Sequence, residues 1–218
     1  MSKKSLVRWV VLSVAMVAAS ALLSSLLVAA DQDPITTRMD AFSTPDGANY
    51  FEINPMGQVL ALRTDDGVLL TENAAVLQYV ADRFPNAQLA PSSGLERSRL
   101  QQWLAFIVTE LQKTIFVPLL DPKAPEGAKA YAREKIGLRM SILEKHLSSH
   151  EFLLDRFSVA DAYLTTILNW APSSGIVLAQ WPAVADYHQR MQKRPSIAKA
   201  FGEEWAMYKE EQARQTRN

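Results

Sequence analysis

The chain has 218 residues, enough for one large domain or two small ones with a sizeable core. Its 23 basic and 23 acidic side chains cancel, leaving no basic surplus of the kind from which nucleic-acid recognition starts, so no nucleic acid is expected as a partner. Cysteine is absent, which excludes disulfides, thiolate metal sites and a cysteine nucleophile; any thiol in the chemistry must come from a ligand.

Lys3, Lys4 and Arg8 are the only charged residues before Asp31, and the chain beyond them carries 20 basic against 23 acidic side chains. From Trp9 to Ala30 run 22 residues without charge, proline or glycine, long enough to cross a hydrocarbon core of about 30 Å. The basic start and the small residues Val28, Ala29 and Ala30 also fit a secretory signal cleaved after Ala30. A third reading makes Leu6 to Leu12 a buried strand and Ala15 to Ala29 a buried helix, because four serines and six alanines interrupt the apolar run between Ser13 and Ala30. The first two readings place the protein at the membrane or outside the cytoplasm, with lipid contact through residues 1–33. An anchor would keep its positive end in the cytoplasm and send the body outward.

After Pro34, Ile35 to Thr37 predict a short strand, and Ser43 to Asn49, with Pro45 and Gly47, a loop. Gln58 to Arg63 and Val68 to Leu70 predict two strands joined by a hairpin, since Asp66-Gly67 supplies the positive φ that a tight turn needs. Thr71 then begins a helix whose apolar residues Ala74, Val76, Leu77, Val80 and Ala81 recur at helical spacing until Arg83-Phe84-Pro85 stops it. Beyond Pro91-Ser92-Ser93-Gly94 the period stays helical. One stripe, Leu100, Trp103, Leu104, Ile107 and Leu111, is ended by Pro118; a second helix covers Ala128 to Leu147. Ser158 with Asp161 forms a capping box that opens a helix over Ala162 to Ala171. Trp181-Pro182 opens another to about Lys193, Pro195 restarts a short one, and Glu203 to Asn218 reads as a last helix fraying into a solvated tail. The organisation expected is a hydrophobic segment over 1–33, a mixed α/β part over 34–90 and an all-α domain over 95–208.

The eight glycines stand at least ten positions apart, which excludes the glycine-rich phosphate loops of dinucleotide-binding and P-loop proteins. His146 and His150 have the spacing of two metal ligands on one helical face, but they sit at a predicted helix C-terminus, where such residues answer the dipole, and the rest of a zinc motif is missing. No metal is expected. His188 reads as a solvated helix face and Ser173-Ser174-Gly175 as a turn. Trp103, Phe106, Tyr163 and Trp170 read as core.

Asn54-Pro55-Met56-Gly57-Gln58-Val59-Leu60-Ala61-Leu62, Asp65-Asp66-Gly67, Leu70-Thr71-Glu72-Asn73 and Ala75 to Asp82 closely resemble bacterial glutathione transferases, especially the beta class. The likeness continues through Trp103-Leu104, Thr109-Glu110-Leu111, Phe157 to Leu164, Gln189-Arg190-Met191 and Arg194-Pro195, covering roughly residues 35 to 205. The resemblance implies a thioredoxin-like N-terminal α/β domain with an all-α C-terminal domain, a homodimer, a cytoplasmic location, and detoxifying conjugation or reduction of small apolar electrophiles with glutathione as the thiol substrate. It places glutathione at Gln58 and Val59, whose backbone pairs with the peptide, and at Glu72 and Asn73. There Glu72 neutralises the ammonium, and the amide and side chain of Asn73, where the family often has serine, receive the carboxylate at a helix N-terminus. Capping of that helix by Thr71 to Asn73 explains the same residue types.

The chain departs from the family in three places. Leu60 stands where the family has a cis-proline, and a cis bond before a residue other than proline costs about 2.5–4 kcal/mol. The usual cysteine, tyrosine or serine after the first strand is unmatched, leaving Ser13 and Ser20 as the only hydroxyls near that place. Gln112 replaces the histidine that follows the Thr-Glu-Leu run, so a titratable imidazole is lost there. These departures support an alternative, a catalytically silent transferase fold used for ligand binding or as a membrane-tethered interaction module.

Overall fold

A computed structural model of the chain describes residues 49–57, 61–64 and 66–215. The expectations for residues 1–33, for the strand and loop before Asn49, for Ser13 and Ser20, and for Gln58, Val59 and Leu60 therefore lie outside the described residues.

The chain enters through a single helical turn, α1 (Tyr50–Ile53), which Asn49 caps by accepting the Phe51 N–H on its side-chain oxygen at 3.1 Å. Asn54 to Gly57 then turn sharply, with Gly57 N–H donating to Asn54 O at 2.8 Å. Gly57 has φ +62, a conformation that favours glycine, and a Cβ there would stand 2.6 Å from the exposed Phe51 ring and push it aside.

Strands β1 (Ala61–Arg63) and β2 (Leu69–Thr71) pair antiparallel, Leu62 opposite Leu70. The expected hairpin turn is present: Gly67 takes φ +78, and Thr64 N–H donates to Val68 O at 2.9 Å. Helix α2 (Asn73–Arg83) follows, two residues later than expected because Thr71 is still paired with Ala61. Val76, Leu77, Val80 and Ala81 bury one face of α2 in the core that also takes Leu62. The helix ends at Arg83, as Pro85 requires.

Arg97, on α3 (Gly94–Phe106), clasps the end of α2 by a two-pronged pair with Asp82 at 2.8 and 2.9 Å. The winding then changes. Ile107–Phe116 is π-helical, with Thr114 Oγ1 donating to Thr109 O and Val117 N–H reaching back five residues to Gln112 O. The last turn, α4 (Val117–Leu120), carries Pro118. The expectation that Pro118 ends this helix is thus corrected: it continues to Leu120. Proline lacks an N–H and crowds the carbonyl four residues back, and the wider π winding before it accommodates both defects. Gly94–Leu120 is long and apolar enough to cross a membrane, yet Leu100, Leu104, Ile107, Leu111, Ile115 and Phe116 are all buried in the protein core.

Helix α5 (Glu126–Leu147) leads to a loop and then to α6 (Val159–Leu168), every residue of which is buried. A short α7 (Ala171–Ser174) follows, with Gly175 closing it in the left-handed region, as the turn expected there requires. Helix α8 (Pro182–Gln192) starts where Trp181-Pro182 predicts. Trp181 has no capping side chain, and Glu144 of α5 does the work instead: its two oxygens accept the N–H groups of Ala183 and Val184, each at 3.1 Å. The helix from Pro195 is not short, since α9 runs unbroken to Gln215. Gly202 does not stop it, because nothing there takes the left-handed conformation of a C-cap.

The α6 capping box is complete and buried. Asp161 Oδ2 accepts from Ser158 N–H at 2.9 Å and Ser158 Oγ at 3.0 Å, while Oδ1 accepts from Leu153 N–H and Tyr187 Oη, both at 2.9 Å. Val159 N–H donates to Leu89 O at 2.9 Å, which fastens the segment after α2 to the same helix start. Asp161→Ala strands these donors in the core, and denaturant unfolding is expected to show a loss of about 3 kcal/mol or more.

His188 is not solvated. Its Nε2 lies 2.6 Å from Asn169 Oδ1 in a half-buried contact, and burial depresses its pKa from 6.5 to about 4. Below pH 6.5 the unfolded chain therefore takes up a proton that the folded chain refuses until about pH 4. Stability is full above pH 6.5 and falls as the pH drops towards 4. In His188→Gln, unfolding free energy measured across this window is expected to fall less steeply.

Candidate functional site

Glu72 is the single residue between the end of β2 at Thr71 and the start of α2 at Asn73. Its φ of +70 with ψ 118 is one of two positive values among the described non-glycine residues. A side chain in such a conformation costs about 1–3 kcal/mol and persists where the surroundings enforce it. Its carbonyl accepts the N–H groups of Ala75 and Val76, both at 3.0 Å. Its carboxylate is exposed and makes no capping bond to the helix. Capping by the side chain is therefore not what a glutamate does here.

Asn73, the next residue, is 8% exposed. Its Oδ1 is buried and has no hydrogen-bond partner. At the first position of α2 its backbone N–H, like that of Ala74, has no carbonyl of the helix to bond. An unpaired amide end and a carboxylate thus stand side by side, the pair of features that suits a ligand carrying both an anionic and a cationic group.

Two residues of the helical part reach this place. Tyr163, on the buried α6, donates its hydroxyl proton to Gln112 Oε1 at 2.5 Å. The Glu72 charge is near enough to act on the same hydroxyl. Burial raises the Tyr163 pKa to about 12, with Asn73 pulling it down in part. The phenol therefore stays protonated, and a donor, throughout the neutral range. Gln112 is 6% exposed and sits within the π-helical segment.

Of the residues expected from the sequence, Glu72 and Asn73 stand side by side at the start of α2, and Gln112 meets Tyr163 on α6, the helix that packs against α2; Gln58, Val59, Ser13 and Ser20 lie outside the described residues. Tyr163 is the addition. It was legible only as core, yet a tyrosine within a ten-residue helix buried on all sides must send its hydroxyl to a partner. His146 and His150 stack with ring centroids 4.2 Å apart, and their nitrogens face the backbone oxygens of Phe152 and His146. Among the described residues no group of three or more His, Cys, Asp or Glu is placed to hold a metal ion.

Residues 106–195 match the family model of the glutathione S-transferase C-terminal domain. Over 161 residues the chain is 40% identical to glutathione S-transferase GstA of Escherichia coli O157:H7, covering 73% of this chain and 80% of that protein. The chain belongs to the glutathione S-transferase family. Among solved structures, the beta-class glutathione S-transferase of Sphingomonas chungbukensis superposes with a TM-score of 0.79 at 35% identity, over 88% of this chain and 95% of that one. A sphingomonad glutathione S-transferase solved in complex with glutathione gives 0.76 at 34%, over 85% and 94%. This family's fold, a thioredoxin-like α/β domain followed by an all-α domain, accounts for the order seen here, with the β1–β2 hairpin and α2 first and helices from α3 onward. If this transferase keeps Glu72 in a strained conformation for a purpose other than stability, Glu72→Gly is expected to stabilise the fold by about 1 kcal/mol in urea unfolding, since glycine adopts positive φ freely.

Proposed function

We propose that this transferase binds glutathione at the start of α2 and uses the ligand's thiol to attack a small apolar electrophile. The observation that carries this reading is the strained, exposed Glu72 beside the buried Asn73, whose Oδ1 lacks a partner. The γ-glutamyl end of glutathione carries one ammonium and one carboxylate. Glu72 would take the ammonium, and the amide end of α2 the carboxylate. The peptide part would run along Gln58 and Val59, as the family resemblance implies, and the working unit would be a homodimer.

With no cysteine in the chain, the nucleophilic sulfur is the ligand's. In the conjugation the sulfur–carbon bond forms, the carbon–leaving-group bond breaks and the thiol proton passes to solvent. Gln112, lacking an acid–base function near neutral pH, would take no proton in this step. The domain limits we adopt for this reading are 34–90 for the glutathione-binding part and 95–208 for the helical part.

Retention on immobilised glutathione together with turnover of 1-chloro-2,4-dinitrobenzene is the expected result. Glu72→Gln should weaken retention about tenfold, the scale of a lost charge-assisted hydrogen bond. Retention without turnover would favour the catalytically silent alternative, and neither retention nor turnover would overturn the glutathione reading.

A further inference from the structure

A cavity of about 610 Å3 opens at the far end of α2, where the segment after that helix meets the loop that precedes α6. Its walls are braced from several sides. Arg97 of α3 holds Asp82 of α2 by two hydrogen bonds and the Pro91 carbonyl by a third, and Val159 N–H ties the start of α6 to Leu89 O. Arg156 Nη1 donates to Gln88 Oε1 at 2.9 Å, which joins the loop to the segment after α2. Gln88 is the second described non-glycine residue with positive φ, and it closes the turn Pro85–Ala87 at φ 53 and ψ 35. A left-handed backbone suits glycine or asparagine, and a glutamine holds it only where its surroundings enforce it. The space is thus preformed, and its volume falls within the roughly 300–1,000 Å3 of small-molecule sites.

The charges around the cavity do not all cancel. Asp82 is matched by Arg97, and Glu96 by Arg99 at 3.0 Å. Asp155 and Arg156 are left: among the described residues neither forms an ion pair, and Arg156 bonds only to a neutral amide. An unmatched carboxylate and an unmatched guanidinium therefore stand next to each other on a wall that also presents Pro85, Ala90, Pro91 and Leu154. A simple anion would meet the carboxylate and a simple cation the guanidinium, whereas a molecule that bears both charges close together, as on one α-carbon, satisfies both.

We propose that this cavity binds a free amino acid with an apolar side chain, its ammonium on Asp155, its carboxylate on Arg156 and its side chain against Pro85, Ala90, Pro91 and Leu154. Gln88, held in its left-handed turn, keeps the Arg156 guanidinium in place for the carboxylate. The site is independent of the glutathione reading. It lies at the opposite end of α2 from Glu72 and Asn73, about 12 Å away along the helix axis.

L-phenylalanine is the probe, followed by nitrogen–proton NMR on the full chain. It is expected to bind saturably and to shift the Gln88 side-chain and Ala90 backbone amide resonances. Phenethylamine and 3-phenylpropionate, which each lack one of the two charges, are expected to bind about tenfold more weakly or worse, the scale of one lost charge-assisted hydrogen bond. Asp155→Asn and Arg156→Gln should each weaken L-phenylalanine about tenfold, and saturating glutathione should leave its binding unchanged. The analogues need no substitution, so they decide the matter even where a variant disturbs the loop. No shift at Gln88 and Ala90, equal binding of the one-charge analogues, unchanged affinity in both variants, or displacement by glutathione overturns the site. Binding of L-phenylalanine as expected by a protein that does not bind glutathione would overturn the function proposed above and uphold this site.

Discussion

The buried carboxylate of Asp161 is the interaction on which the helical part depends. Four donors from three segments converge on it: the backbone and hydroxyl of Ser158, the Leu153 N–H and the Tyr187 hydroxyl. Burial alone pushes the Asp161 carboxyl upward, and the hydrogen bonds pull the other way. A single side chain thereby starts α6, closes the loop that follows α5 and fastens α8 from behind. Since α6 is buried along its whole length and packs against α2, its placement decides where Tyr163 stands. Folding of the helical part and geometry at the candidate site are in this sense one problem.

A related economy appears at α8. Its first turn lacks a capping side chain of its own, and the Glu144 carboxylate of α5 meets its free amides instead. This places a negative group where the helix dipole favours it and at the same time packs α8 against α5. The Asp82–Arg97 pair and the Leu89–Val159 bond do the same for the connection between α2 and the helices that follow, although the Asp82 carboxylate is half exposed and its pair with Arg97 adds little stability by itself.

Much of this is legible in the sequence because local chemistry dictates it. Asp66-Gly67 can only be a tight turn between apolar runs, Pro85 can only end α2, and Ser158 with Asp161 reads as a capping box in any order of packing. What is not legible depends on partners distant in the chain. Pro118 signals a helix end only if the preceding turns are α-helical, and nothing in the composition of Ile107–Phe116 announces a wider winding. His188 has polar neighbours in sequence, but Asn169 draws it into a half-buried contact. Glu72 and Asn73 are visible as helix-start residues, whereas the positive φ of one and the stranded oxygen of the other arise from tertiary constraint. Tyr163 looks apolar by context, and its polar end matters only once α2 and the π-helical segment are brought beside it.

The wide winding between Ile107 and Phe116 has a bearing on how the length of this chain could change over time. A helix advances by about 100° per residue. Bonding that reaches back five residues spreads each turn over more of the chain, so the wide stretch takes up length without adding rotation. A residue lost there would be absorbed by a return to ordinary α winding, with the flanking turns still in phase. The same loss from the α-helical turns before it has no such reserve, and Leu100 would swing away from the face it shares with Ile115 and Leu119.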